Sequence, residues 1–353
     1  MNERENYRKT WLFSHNDLDG YSCNVVARAF LNGYTDKIVE MNCDYSKIDS
    51  EIRSRMPEID TENDLVIVSD ISWDKSSNDI TEFMKSIPDG NLIIADHHRS
   101  SEWIGQEIDR NSVITVEAER CGCEILKDIL ESMLFYVQKG TLVELVKFTS
   151  VVSDWDLWKW ADTSNARSTS SIGNLLYMDA PRLSTWFEWC LETGSGSKFV
   201  DTVIEKLYDQ DVSLAAGIED EFKDKRFQEH MKNVRDTLYD SAHQYYRFKI
   251  LGCLPALDAM LFVLPKGFQH KSLLSMIAER RLKEKGVKDY DCIAIWVDGD
   301  SNISLRYPQN GIDFSKVLKT CAWGGGGHKE QAGTNPGAGY MSSFCANNKL
   351  WRF

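Results

Sequence analysis

The sequence predicts an α/β protein of two domains: an N-terminal, mainly parallel sheet flanked by helices, and a smaller C-terminal α/β domain, joined by a helical connector. Three observations carry this. Short apolar runs alternate with helix-like polar segments from Trp11 to Ala95, the pattern of strands linked by crossover helices. A chain of 353 residues, 42% hydrophobic, exceeds one domain at about 150 residues each. A second α/β pattern then begins near Phe248, after a long charged stretch. The expected boundaries are 1–165, 166–247 for the connector, and 248–353.

The first strand is read at Trp11 to Phe13. Cys23, Val26, Ala27, Phe30 and Leu31 follow Gly20 at the three-to-four spacing of a helix buried on one face. Strands are expected at Ile38 to Met41, Leu65 to Val68 and Leu92 to Ala95, with helices over Ser46 to Arg55 and Lys75 to Ser86. From Cys121 to Val152 the pattern is helical, and a break is expected at Lys139-Gly140-Thr141, where Gly140 would end one helix and Thr141 cap the next. The segment Trp160 to Arg182 is polar and Ser-rich, and Phe199 to Phe248 is charged and helical, so both are assigned to the connector. The last domain is expected to hold strands at Ala259 to Leu264, Cys292 to Val297 and Ile303 to Arg306, with helices at Lys271 to Lys283 and Asp313 to Thr320.

The net charge of −13 argues against a chain whose task is coating long nucleic acid, since such affinity comes from Lys and Arg neutralising phosphates. Local binding of a short anion stays compatible with it. The acidity also suits a carboxylate-rich site that is neutral only when it holds cations. Nine cysteines include no Cys-x-x-Cys pair, so most are expected as buried thiols in a reducing compartment. Met1 to Thr10 has no apolar core of a signal peptide, and no apolar run reaches about 18 residues. A soluble, cytoplasmic protein without a membrane partner is expected.

Ser14-His15-Asn16-Asp17-Leu18-Asp19-Gly20 places one imidazole and two carboxylates on a turn between the first strand and the first helix. Further isolated ligand types follow in Val68-Ser69-Asp70, Ala95-Asp96-His97-His98 and Ser153-Asp154-Trp155-Asp156. Three of these sets end apolar strands, where open α/β sheets keep their chemistry. Four of the seven histidines, His15, His97, His98 and His328, lie in strand-end or Gly-rich contexts. His230, His243 and His270 lie in charged helical or loop contexts and are read as surface or locally bonded residues.

The order His15-x-Asp17-x-Asp19-Gly20, Asp70, Asp96-His97-His98, Asp154/Asp156 and, much later, Gly324-Gly325-Gly326-Gly327-His328-x-x-x-Ala332-Gly333 resembles the DHH phosphoesterase superfamily with a DHHA1 C-terminal domain. Within it, the Ser-His-Asn-Asp-Leu-Asp-Gly opening and Trp-Asp-Leu-Trp-Lys-Trp look closest to nanoRNases or oligoribonucleases of the NrnB kind. The resemblance implies a centre of two divalent cations. His15 and Asp17 would hold one, Asp19 and His97 the other, with Asp70 bridging and a residue of the last motif completing the second site. Asp154 is preferred there because it follows a small residue at a helix end, and Asp156 is retained because of its Asp-x-Trp-x-Trp context. Imidazole and carboxylate ligands suit Mn²⁺, with Mg²⁺ or Co²⁺ as substitutes. Asp96 is expected to orient an imidazole and His98 to contact the scissile phosphate or departing oxygen. Trp155, Trp158 and Trp160 are read chiefly as wall and core.

In the C-terminal domain the resemblance implies a phosphate grip made by Gly325, Gly326, Gly327 and His328, with Arg306 as a guanidinium contact. Gln331 departs from the family pattern, which usually has Ala there. The implied activity is metal-dependent hydrolysis of short oligonucleotides to mononucleotides. Hydrolysis of a 3′,5′-bisphosphonucleotide, a cyclic dinucleotide or polyphosphate shares the metal chemistry, and a nucleotide-binding protein without turnover is the alternative of another class. Homodimerisation is expected on family grounds alone.

Overall fold

The computed structural model describes residues 6–114, 117, 119–133, 135–162, 179–209, 213–250, 256–268, 270–309, 311–323, 325–327, 331–337, 340–341 and 343–344. The chain divides into two compact units, 1–164 with 179–227 and 165–178 with 228–353.

The first unit is built on five parallel strands in the order β2-β1-β3-β4-β5, with β1 Lys9–His15, β2 Ile38–Cys43, β3 Asp64–Ser69, β4 Leu92–Ala95 and β5 Val113–Ile114. Every residue of β3 and β4 is buried, as expected for parallel strands covered on both faces. In β1, Trp11, Leu12 and Phe13 are buried, each worth roughly 1.5–3 kcal/mol of apolar transfer. The chain leaves β1 for β2 on one side and then returns for β3 on the other. The β1/β3 boundary is therefore the switch point at which open α/β sheets leave a crevice beyond their carboxyl ends.

Helix α1 (Leu18–Leu31) starts directly at the β1 turn, its N-cap Asp17 accepting a 3.0 Å hydrogen bond from the Gly20 N–H. Helices α2 (Ile48–Arg55), α3 (Asn78–Ser86) and α4 (Glu102–Glu107) connect the strands that follow. Then come α5 (Gly122–Ser132) and α6 (Lys139–Asp156). The break between them lies at 133–138, not at Lys139-Gly140-Thr141: Gly140 sits in the first turn of α6, where a residue without a side chain is tolerated.

Helices α7 (Asp179–Thr193), α8 (Gly196–Tyr208) and α9 (Leu214–Phe222) belong to this first unit, although the sequence assigns them to a connector. Their large apolar residues explain the placement. Trp186, Phe187 and Phe199 are about 1% exposed or less and form mutual ring contacts at 5.2–5.3 Å, and α8 and α7 pack on α1 and α6. The Ser-rich segment 163–178 lies outside the described residues.

The unit boundary falls inside α10 (Lys225–Ala242). The second unit holds six strands in the order β10-β11-β9-β8-β7-β6: β6 Tyr245–Ile250, β7 Leu257–Leu264, β8 Cys292–Val297, β9 Ile303–Arg306, β10 Gly325–Gly327 and β11 Gln331–Thr334. Among the described residues of this unit only β7 and β8 pair in parallel, and the helix such a pair needs is α11 (Lys271–Glu284) between them. A four-residue helix α12 (Phe314–Val317) continues into a 3₁₀ turn, Leu318–Thr320. Gly325 to Gly327 of the glycine run form an edge strand, with Gly325 opposite Thr334 and Gly327 opposite Ala332. Among the described residues no helix is long and apolar enough to cross a membrane.

Candidate metal centre

Beyond the carboxyl ends of β1, β3 and β4 the first unit gathers His15, Asp17, Asp19, Asp70, Asp96, His97 and His98, and the end of α6 adds Asp156. His15 and Asp17 flank the turn, with His15 Nδ1 2.8 Å from Asp17 Oδ2. The same carboxylate caps α1 through its other oxygen, so helix formation fixes its direction. Gly20 is required by the tight turn: a Cβ there would lie 2.1 Å from the His15 carbonyl oxygen.

Asp19 is held from across the fold. Its two oxygens accept the N–H groups of Gly122 and Cys123 at 2.6 and 2.9 Å, donors that the first turn of α5 leaves without helical partners. The neighbouring thiols, Cys121 and Cys123, approach to 3.4 Å. The seven cysteines among the described residues are all buried.

Asp70 stands between two groups of ligands. Its Oδ2 lies 3.9 Å from His15 Nδ1, and its Oδ1 lies 3.3 Å from His97 Nε2 and 3.9 Å from His98 Nδ1. The backbone reaches this pose at φ 57°, a left-handed conformation that costs a non-glycine residue on the order of 1–3 kcal/mol and recurs at functional sites. Among the described residues four sets of potential ligand atoms fall within 4.8 Å of one another: His15, Asp17 and Asp70; Asp19, His97 and Asp156; Asp70, His97 and His98; and Asp19 with the thiols of Cys121 and Cys123.

Of the last motif, Asp156 reaches the cluster, its Oδ2 3.3 Å from His97 Nε2, whereas Asp154 belongs to none of these sets. Helix geometry accounts for the difference. Asp156 follows buried Val152 and Ser153 by four and three residues and so shares their inward face, while Asp154 is turned about 200° from Asp156. The tryptophans beside it form a wall, with Trp155 stacked on buried Trp160 at 5.3 Å and 16°.

The electrostatics fit a cation-holding site. Burial, and then the charges of Asp19 and Asp17, push the carboxyl groups of Asp70 and Asp156 well above the ordinary range. Asp70 Oδ2 and Asp156 Oδ2 are buried without a hydrogen-bond partner among the described residues. Such oxygens are costly unless a proton or a metal satisfies them. Burial pushes the His97 imidazole down and His98 reinforces it, which favours the neutral ring that metals bind. Burial also works against charge on His98, but Asp96 overrides it and raises that imidazole to about 9. The contact is a 2.7 Å bond from His98 Nδ1 to Asp96 Oδ1, which also accepts the backbone N–H groups of His97 and His98. Asp17 is held low by His15 in spite of its burial.

In the second unit Arg306 ends β9, is 8% exposed, and donates to the Leu305 carbonyl at 2.9 Å; burial lowers its pKa to about 10. Its backbone pairs with Gln331 across the sheet. His328 and Gly324 lie outside the described residues. His270, read from sequence as superficial, is 4% exposed and its pKa falls to about 3, chiefly through burial. His243 keeps the local role expected of it, a 2.7 Å contact from Nδ1 to the Tyr239 carbonyl. Two features of the centre escape a sequence reading: Gly122, whose Cβ would lie 2.7 Å from Asp70 Cβ, and Tyr45, whose ring packs 4.9 Å from His15. Only the position of Tyr45 just past β2, another parallel-strand end, hints at it.

The switch-point crevice is lined in this order by His-x-Asp-x-Asp, Asp, Asp-His-His and a helix-end Asp, the arrangement expected from the sequence resemblance to DHH phosphoesterases. No family model matches the chain. Its sequence is similar to the oligoribonuclease NrnB of Bacillus subtilis, 24% identical over 337 residues that cover 91% of this chain and 71% of that protein. Among solved structures its fold is similar to RecJ of Thermus thermophilus in complex with Mn²⁺, with TM-score 0.55 and 13% identity over 97% of this chain and 52% of that one. A manganese-bound exonuclease RecJ gives TM-score 0.51 and 15% identity over 98% and 90%.

Proposed function

We propose that this chain is a divalent-metal-dependent phosphodiesterase that hydrolyses short oligonucleotides to mononucleotides, with Mn²⁺ as its working ion. The observation that carries the reading is Asp70: one oxygen faces His15 and Asp17 while the other faces His97, the disposition of a carboxylate shared by two cations. His15, Asp17 and Asp70 would hold one ion, and Asp19, His97, Asp156 and Asp70 the other. When bound, the pair supplies an activated water and stabilises charge developing on the phosphate oxygens.

The chain's own residues do the rest. The Asp19 carboxylate is kept in place by the α5 N-terminus, so its direction does not depend on the ions. Asp96 orients His98 through Nδ1 and favours its protonated form, which equips the imidazolium to donate a hydrogen bond to the scissile phosphate or a proton to the departing oxygen. Arg306, Gly325, Gly326, Gly327 and His328 would form a phosphate grip in the second unit, the role that the family resemblance gives them. The similarity to a protein called an oligoribonuclease supports this choice of ester.

The test is a product time course with purified protein, Mn²⁺ and end-labelled di- to pentanucleotides, beside a 3′,5′-bisphosphonucleotide, a cyclic dinucleotide and polyphosphate. Mononucleotides accumulating from the short oligomers support the proposal. Intact oligomers overturn it, whether or not another ester is cleaved.

A further inference from the structure

Tyr45 follows β2 by two residues and keeps 45% of its surface exposed beside the cluster of histidines and aspartates. Its ring centroid lies 4.9 Å from that of His15, at 49°, and 5.8 Å from that of His98, at 85°. Contacts with two imidazoles whose own directions are set by Asp17 and Asp96 restrict the ring's swing. An exposed aromatic ring beside a carboxylate cluster adds nothing to a hydrophobic core and offers no charge to a phosphate. What it offers is a flat, neutral π-face beside the position of the reacting phosphate.

We infer that Tyr45 forms a nucleobase subsite, on which the base of the nucleotide bearing the reacting phosphate stacks. The inference rests on the oligonucleotide reading of the same centre and narrows it: the subsite favours base-bearing phosphates and does not discriminate among bases, because every base presents a π-face. Inorganic polyphosphate would gain nothing from it.

Two measurements test this on the full chain. Titration calorimetry with Mn²⁺ compares adenosine 5′-monophosphate with ribose 5-phosphate on wild type, Tyr45→Ala and Tyr45→Phe. Wild type and Tyr45→Phe should prefer the nucleotide by about tenfold to a hundredfold, the worth of one base–aromatic stack, and Tyr45→Ala should bind the two equally. In dinucleotide hydrolysis Tyr45→Ala should raise KM by a similar factor with kcat changed less than about threefold. An unchanged preference in Tyr45→Ala overturns the subsite, and Tyr45→Phe behaving like Tyr45→Ala overturns it in favour of the hydroxyl. If wild type prefers the nucleotide yet cleaves no oligonucleotide, the subsite stands and the proposed activity fails.

Discussion

Gly122→Ala should damage the metal centre without unfolding the protein. Gly122 opens α5, and its N–H holds Asp19 Oδ2 at 2.6 Å. A Cβ there would lie 2.7 Å from Asp70 Cβ, 3.0 Å from Asp70 Cα and 3.1 Å from Asp19 Oδ2. Ordinary contact begins at 3.4 Å, so the Asp70 pair is short by about 0.7 Å, and its partner is a fully buried residue whose backbone N–H is bonded to the Ala95 carbonyl. Relief therefore spreads the two carboxylates that the second cation would share. Misplacement approaching 1 Å costs about 10²-fold in rate, equivalent to about 2.7 kcal/mol of barrier. Overpacking costs about 1–3 kcal/mol of stability, and removing a glycine from a helix returns roughly 0.5–1. The expected result is a kcat/KM on a short oligonucleotide lower by about 10²-fold, with weakened Mn²⁺ binding and a Tm shift of a few degrees. Gly140→Ala is the matched control, since nothing lies within 4 Å of its Cβ and activity should be unchanged. Wild-type turnover and metal affinity in Gly122→Ala would refute the account of Asp19 and Asp70 as jointly positioned ligands.

Asp156→Asn should lose measurable Mn²⁺ at one site by calorimetry while Asp154→Asn keeps both, and the reverse pattern would put the ligand on the other helix face. Stripping divalent ions with a chelator should lower Tm, and restoring Mn²⁺ to about a hundredfold over Kd should return about 2.7 kcal/mol; an unmoved Tm would argue against a site that binds the folded state. Metal-free protein should lose stability as pH rises from about 6.5 to 9. The groups responsible, Asp70, Asp156 and His98, have raised folded pKa values, so their contributions are complete below their unfolded values and disappear as pH climbs through the folded ones, about 9 for His98. Saturating Mg²⁺ should remove the part of that slope that comes from Asp70 and Asp156, because the cation then takes the place of their protons, while the part from His98 stays; Tm at both pH values with and without Mg²⁺ checks it, and an equal slope in both would refute the cation's role.

Most of the strands were legible because each parallel strand is an unbroken apolar run that ends on a polar residue, as Leu65 to Val68 ends on Ser69 and Asp70. The same punctuation marks His15, Asp70 and His97 as neighbours from the sequence alone, since the ends of parallel strands on one edge of a sheet are necessarily close. Two other kinds of information were not local. Whether α7 to α9 form a connector or part of the first unit depends on what Trp186, Phe187 and Phe199 meet, and their spacing alone does not name a partner. The glycine run is equally mute: the same residues suit a loop or an edge strand until β11 supplies the pairing.

The choice between Asp154 and Asp156 shows where local pattern stops deciding. A small residue before Asp154 and tryptophans around Asp156 are equally compatible with a ligand at a helix end. What separates them is phase: once Leu145, Thr149, Val152 and Ser153 are known to face inward, Asp156 continues that face and Asp154 leaves it. The phase was present in the sequence as the spacing of those residues, but it becomes decisive only if α6 runs unbroken through Asp156, and the expected end of the helical pattern at Val152 removed that continuity. A helix that extends one turn further than its apolar pattern thus carries the last carboxylate to His97, and the length of α6, more than the identity of its final residues, completes the ligand set.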